Sequence, residues 1–403
     1  MNKNENKWIV ILSVALIIAL SGLYLTGLQL YKLREYIPIM QAASIIENNY
    51  YYYDKDTDQE KLVENAIDGM VDGIGDKYAQ YYTASEYRDL QKSQNNEYRG
   101  IGILVGVPGE EGAEILRVYA GSPMDTAGAR SGDLILKVNG TPVGGMPLND
   151  MLDLFSTDPY AEDSLLVRRD GKQITFTAKK ADVYVPAVTY EMLQDGTGYI
   201  RIASFSGNVA KEMSDAVDTL LEMGMRGAVL DLRNNPGGNL DAVLRSAELF
   251  LSKGKLIVSV MTRNEEETKY YSTADGKENF PAVVLVNGNS ASAAELFTGA
   301  LRDNGRAIVV GEKTFGKGIV QSFFKVRSTA GYVKLTTDVY FTPGGVCIHK
   351  KGIKPDIEAE LPEELASLEP EQIRHEEDTQ LQMAVTTLNV QREMQEREEE
   401  SNG

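Results

Sequence analysis

Between residues 188 and 357 short apolar runs alternate with amphipathic stretches, and no other feature restricts the fold of this chain so far. The runs at 198–202, 228–232, 257–261, 282–286 and 307–310 read as strands, while 209–223, 240–251 and 293–302 read as helices. Strands separated by helices need crossover connections, so the expected core is α/β. A longer strand is expected at 332–341.

The flanking sequence has a different texture. Residues 35–87 carry helical spacing, with Leu62, Ala66, Ile67 and Met70 three and four apart. The consecutive tyrosines at 50–53 interrupt it and read as an aromatic patch that closes a small helical domain. Residues 98–182 break into β-like runs punctuated by glycine, with one helical stretch at 148–155. Beyond Pro362, Leu381, Ala384, Val385 and Leu388 fall at helical spacing and could cover the body or a second subunit. Five regions result: 1–34, a helical domain at 35–96, a mostly β module at 97–182, the α/β core at 183–358, and an acidic helical tail at 359–403.

The 403 residues carry 59 acids against 41 bases, a net charge of −18, and residues 358–403 alone hold 14 acids against 3 bases. A phosphate backbone demands clustered Lys and Arg, so nucleic acid is not an expected partner. The single Cys347 excludes an internal disulfide and a multi-thiolate zinc site. With only His349 and His375 besides, no metal and no cofactor are expected. From Trp8 to Tyr31 no charge occurs, a length that spans a hydrocarbon core of about 30 Å. It reads as an uncleaved transmembrane anchor, because the apolar part of a signal peptide runs only about 7–15 residues. Lys3 and Lys7 favour the cytoplasmic side for the stub, which puts the body outside the cytoplasm.

The string from Gly121 to Gly140, GSPMDTAGARSGDLILKVNG, resembles the PDZ domains of bacterial proteases, and the resemblance covers the β module. It implies strand addition of a peptide end, with the terminal carboxylate received by backbone N–H groups of Gly100, Ile101, Gly102 and Ile103. On their own, Gly100 and Gly102 only permit a tight turn.

At 283–297 a strand delivers small residues to the start of a helix, with Ser292 at the junction. Locally, Ser292-Ala-Ala-Glu295 fits a capping box. Together with Gly311-Glu-Lys-Thr-Phe-Gly-Lys-Gly, however, the segment resembles the carboxyl-terminal processing protease family. The resemblance implies a catalytic dyad of Ser292 and Lys317, oriented by Gln321, on a core like that of the Clp protease and crotonase relatives. Asp231-Leu-Arg-Asn-Asn-Pro-Gly-Gly matches as well, and carries over Gly238, with Gly237 beside it, and Ala293 as oxyanion-hole donors. The strings at 342–345 and 352–357 extend the match. The family also leads one to expect paired subunits, and substrates that are proteins or peptides with free C-termini.

A lysine must be neutral to take the serine proton, and lowering its pKa from about 10.4 to 7–8 costs roughly 3–5 kcal/mol. Desolvation supplies such a shift, so burial of Lys317 is required. The competing reading is a scaffold that has lost activity and tethers C-terminal tails at the membrane. A PDZ protease with a histidine base is ruled out by order, since no histidine precedes His349. Gly311 to Gly318 nearly spells a phosphate loop, but Gly318 stands where Ser or Thr must hold magnesium, so no nucleotide is expected. His349 reads as a surface or strand residue.

Overall fold

The computed structural model describes residues 34–53, 58–277, 279–366 and 368–402. The expected anchor at 8–31 lies outside them, and among the described residues no helix is long and apolar enough to cross a membrane. The chain divides into two compact units, 1–70 and 71–403. In the first, helix α1 (Ile37–Asn49) opens with a proline in its first turn and buries none of its residues. Helix α2 (Gln59–Asp72) follows. The tyrosines between them close no domain: Tyr50, Tyr51 and Tyr52 are exposed, Tyr51 by 83%. Adjacent residues in a short turn cannot all face one core, and these rings pack edge to face on one another.

The second unit begins with β1 (Gln80–Tyr82), α3 (Ala84–Gln94) and β2 (Glu97–Gly100). Thr83 and Glu86 cap α3 reciprocally. The β module follows: β3 (Ile103–Val105), β4 (Ala113–Val118), α4 (Pro123–Ala127), β5 (Leu134–Val138), β6 (Thr141–Pro142), α5 (Leu148–Leu152), β7 (Glu162–Arg169) and β8 (Lys172–Lys179). Its strands order as β3-β4-β5-β7-β8 around a separate core that includes Ile115, Met124, Ile135 and Leu165. Strand β9 (Ala181–Tyr184) pairs with β2, so both crossings into the module lie side by side.

The core comprises β10 (Val188–Met192), β11 (Thr197–Ile202), α6 (Val209–Glu222), β12 (Gly227–Asp231), α7 (Leu240–Glu248), β13 (Leu256–Thr262), β14 (Glu267–Tyr271), β15 (Ala282–Val286), α8 (Ala293–Asp303), β16 (Ala307–Gly311), β17 (Ile319–Lys325), β18 (Tyr332–Phe341) and β19 (Ile357–Glu358). One sheet runs β10-β11-β12-β15-β16-β19, parallel from β11 onward. Strands β12 and β15 are buried along their whole length, as a parallel sheet covered on both faces requires. Leu230, Val284 and Val286 pack in one core with α6, α7 and α8. Val229, Val283 and Leu285 face Leu381, Ala384 and Leu388 of α9 (Thr379–Asn402), so the tail covers the body.

Residues 257–261 depart from the expected alternation. Strand β13 turns tightly into β14 and joins a second, antiparallel sheet, β1-β18-β13-β14, with β17 also on β18. No crossover helix follows β13 because the Thr262 N–H closes a five-residue turn on the Glu266 carbonyl, at 3.0 Å. This second sheet forms a wall of the cleft described next.

Candidate active site

Beyond the C-terminal end of β15 the chain turns into α8, and Ser292 occupies the junction at φ +57° and ψ −116°. Such a backbone is strained for any residue with a Cβ and persists only where its surroundings over-determine it. Here the Ser290 hydroxyl donates to the Leu232 carbonyl at 2.8 Å, and the Ala291 N–H donates to the Asn235 carbonyl at 2.9 Å. The Ser292 N–H donates to the Glu295 carboxylate at 2.9 Å, which is the carboxylate side of the expected capping box. Glu295 extends well beyond that role. It is fully buried on a helix that is buried all round, and it also accepts from Thr314 Oγ1 at 2.5 Å and from the Gly316 and Lys317 N–H groups at 2.8 Å each. One carboxylate thus ties the serine turn to the lysine loop.

Ser292 and Lys317 line one cleft of about 530 Å³, together with Gly238, Ala293, Gln321, Lys334 and Tyr340. Lys317 is half-buried, its Nζ 5.0 Å from the centroid of the Tyr78 ring. Burial first, then the neighbouring charges of Lys334 and Lys77, hold its pKa below the usual lysine value. No hydrogen bond joins Lys317 Nζ to Ser292 among the described residues. The serine shares the cleft with Tyr340, whose buried phenol donates to the Lys317 carbonyl. Gln321 lines the cleft, but its Nε2 is buried without a partner among the described residues and does not engage the lysine.

Opposite the serine, Gly237 and Gly238 adopt φ +103° and +151°. Phe205 pins the turn from both sides, its N–H to the Gly237 carbonyl and its carbonyl to the Asn239 N–H, both at 2.8 Å. The Gly237 N–H is taken by Asn235 Oδ1 at 2.8 Å, so Gly237 supplies no donor. The Gly238 and Ala293 N–H groups meet no acceptor among the described residues, and both residues line the cleft. Free amides beside a hydroxyl are what a developing oxyanion needs. A Cβ on residue 238 would lie 2.2 Å from the Phe205 carbonyl oxygen. Gly238→Ala is expected to lower kcat by about 10²-fold with little change in KM, read by steady-state kinetics on the folded variant.

In the β module, the Ile101 carbonyl accepts from the Met124 N–H at 3.0 Å. The Gly102 carbonyl accepts from the Tyr119 N–H at 3.0 Å and the Ser122 hydroxyl at 3.2 Å. With its carbonyls bound, the loop has the Ile101 N–H without an acceptor among the described residues. Gly100, Ile101 and Ile103 border a groove of about 230 Å³ with Leu152, Phe155 and Lys180. The Gly102 N–H faces the phenol of Tyr98, whose ring folds over Gly100 and whose pKa burial pushes up to about 12.

Sequence reasoning missed Tyr78, Lys334 and Tyr340, because only the pairing of β1 with β18 brings residues near 80 against residues near 334. It also placed His349 away from the chemistry. The fold packs His349 against Gly318, where a Cβ would lie 2.5 Å from the His349 backbone nitrogen, although His349 does not line the cleft. Among the described residues no group of His, Cys, Asp and Glu could hold a metal.

A serine at a strained helix start, free amides beside it and a desolvated lysine in the same cleft define a serine-type peptidase. The profile described as peptidase family S41 matches residues 196–359, and that of the PDZ domain matches residues 114–169. The chain is 38% identical to the carboxy-terminal processing protease CtpA of Bacillus subtilis over 326 residues, which is 80% of this chain and 68% of that one. It is 35% identical to a probable CtpA-like serine protease of Staphylococcus aureus over 80% of this chain and 64% of that one, so it spans about two thirds of these relatives. A putative S41 protease from Bacteroides fragilis shares the fold at 17% identity, with a TM-score of 0.56 over 86% of this chain and 96% of that one. The chain belongs to peptidase family S41, within the carboxy-terminal processing serine proteases.

Proposed function

We propose that this chain is a membrane-anchored endopeptidase acting outside the cytoplasm, with Ser292 as nucleophile and Lys317 as general base. The observation that carries the reading is the shared cleft: Ser292 and Lys317 line it together, and the backbone N–H of each is held by Glu295. Neutral Lys317 takes the Ser292 proton as the oxygen attacks the scissile carbonyl, and the oxyanion rests between the Gly238 and Ala293 N–H groups. The resulting ammonium protonates the leaving amine, and water, deprotonated by the same lysine, releases the acyl group. A rotation of two flexible side chains away from Tyr78 and Tyr340 closes the dyad, since catalytic contacts are often loose before substrate binds.

The β module supplies recognition: a substrate C-terminus adds as a strand beside β3, with its carboxylate on the loop amides of 100–103. Gln321 then orients the lysine, residues 8–31 serve as anchor, and two subunits pair. The test compares the full chain with Ser292→Ala and Lys317→Ala on an unfolded substrate with a free apolar C-terminus. Cleavage lost in both folded variants supports the dyad. Tail binding without cutting by any of the three chains leaves the tethering scaffold instead.

A further inference from the structure

The catalytic cleft is electrically unlike the rest of the molecule. The protein carries a net charge of −18, yet among the described residues no Asp or Glu lines the cleft, and two lining residues are lysines. One of them, Lys317, is used by the proposed chemistry. The other, Lys334, sits in the middle of a sheet, paired with Gln80 of β1 on one side and Phe323 of β17 on the other. Its Nζ lies 5.2 Å from the Tyr82 ring centroid and donates to the Tyr82 hydroxyl at 3.0 Å. Tyr82 in turn packs on Phe323, with centroids 6.0 Å apart. The aromatic wall thus fixes a half-buried ammonium at the cleft surface.

Among the described residues no carboxylate forms an ion pair with Lys334. The nearby Asp76 accepts from the Tyr78 N–H at 3.0 Å instead and meets Lys334 only as a neighbouring charge. A half-buried cation whose one hydrogen bond among the described residues goes to a neutral hydroxyl retains donors for an anion, and peptides offer one kind of anion, the carboxylate.

We propose that Lys334 is a specificity-determining residue that binds a carboxylate of the substrate, either an acidic side chain or the chain end, beside the scissile bond. The inference rests on the reading of Ser292 as nucleophile and adds the substrate feature that the cleft selects. A structural role is the alternative: Lys334 could serve only as a neighbouring charge for Lys317, and the test is built to separate the two.

The full chain is given matched fluorogenic peptides in two arms. One arm exchanges Glu for Gln at each position within about three residues of the scissile bond. The other exchanges a free C-terminal carboxylate for an amide in peptides ending two to five residues past that bond. Wild type is expected to favour the carboxylate member by about tenfold or more in kcat/KM, chiefly through KM. The arm that shows the preference identifies its source. Lys334→Met should erase the preference, Lys334→Arg retain most of it and Lys334→Glu reverse it.

Each preference is a ratio on one enzyme, so any change in the base strength of Lys317 cancels. The same pairs measured as Kd on Ser292→Ala give the ratio without turnover. A wild-type ratio near one in both arms, or a ratio untouched in Lys334→Met, overturns the proposal. Undiminished cleavage by Ser292→Ala would overturn the catalytic reading and leave the Kd ratio to judge Lys334 on its own.

Discussion

In a Lys317→Ala chain, peptide cleavage is expected to fall by about 10³-fold or more while the protein stays folded. Ser292→Ala should lose as much, and the double variant little more than either, because a nucleophile and its base act as a unit. Lys317→Arg should be as inactive as Lys317→Ala, since a guanidinium does not give up its proton. The pH profile carries the sign. Lysine acts only when neutral, so kcat/KM rises with pH as Lys317 deprotonates, and burial with Lys334 and Lys77 places that limb below the ordinary lysine range. Lys77→Gln removes a like charge, raises the pKa and moves the limb to higher pH. Stability follows the same linkage. Folded Lys317 binds its proton less tightly than unfolded, so wild type gains stability relative to Lys317→Met as pH climbs from the folded pKa to about 10.4. Denaturant unfolding at several pH values and a pH–rate profile check both statements.

Glu295→Ala is expected to cost about 3–5 kcal/mol of stability and most of the activity. Four donors converge on this carboxylate, from Ser292, Thr314, Gly316 and Lys317, inside a fully buried setting. Removing the acceptor leaves them unsatisfied at about 1–3 kcal/mol each before relaxation, and the turn and loop then relax away from each other. Glu295→Gln should lose less, because its carbonyl still serves part of the set while its NH₂ opposes the rest. Urea unfolding gives the stability, and kcat on the folded fraction gives the activity. An alanine variant with full activity and unchanged midpoint would remove Glu295 from any organising role.

The parallel strands were legible because burial on both faces writes them as continuous apolar runs, 282–286 most plainly. The helices showed through spacing: Val209, Met213, Ala216, Val217 and Leu220 are the buried face of α6. What stayed hidden depends on long-range pairing. Strand β1 meets β18 across some 250 residues, and no local pattern announces that Tyr82 meets Lys334 or that Tyr78 meets Lys317. Ser292 and Lys317 stood out through motif resemblance rather than periodicity. Glu295 read as a cap because the capping pattern is local, while its bonds to residues 314–317 are not. A better signal was available: a lone acid in Ala293-Ala-Glu-Leu-Phe-Thr-Gly-Ala-Leu, a helix apolar on every face, has to find several partners indoors.

The backbone of Ser292, at φ +57° and ψ −116°, also has a bearing on descent. Glycine relieves such strain, so Ser292→Gly should fold more stably than wild type by about 1 kcal/mol while losing its nucleophile. Thermodynamic drift at this codon therefore runs downhill toward an inert molecule. A lineage released from the need to cut would slide to glycine and be better folded for it.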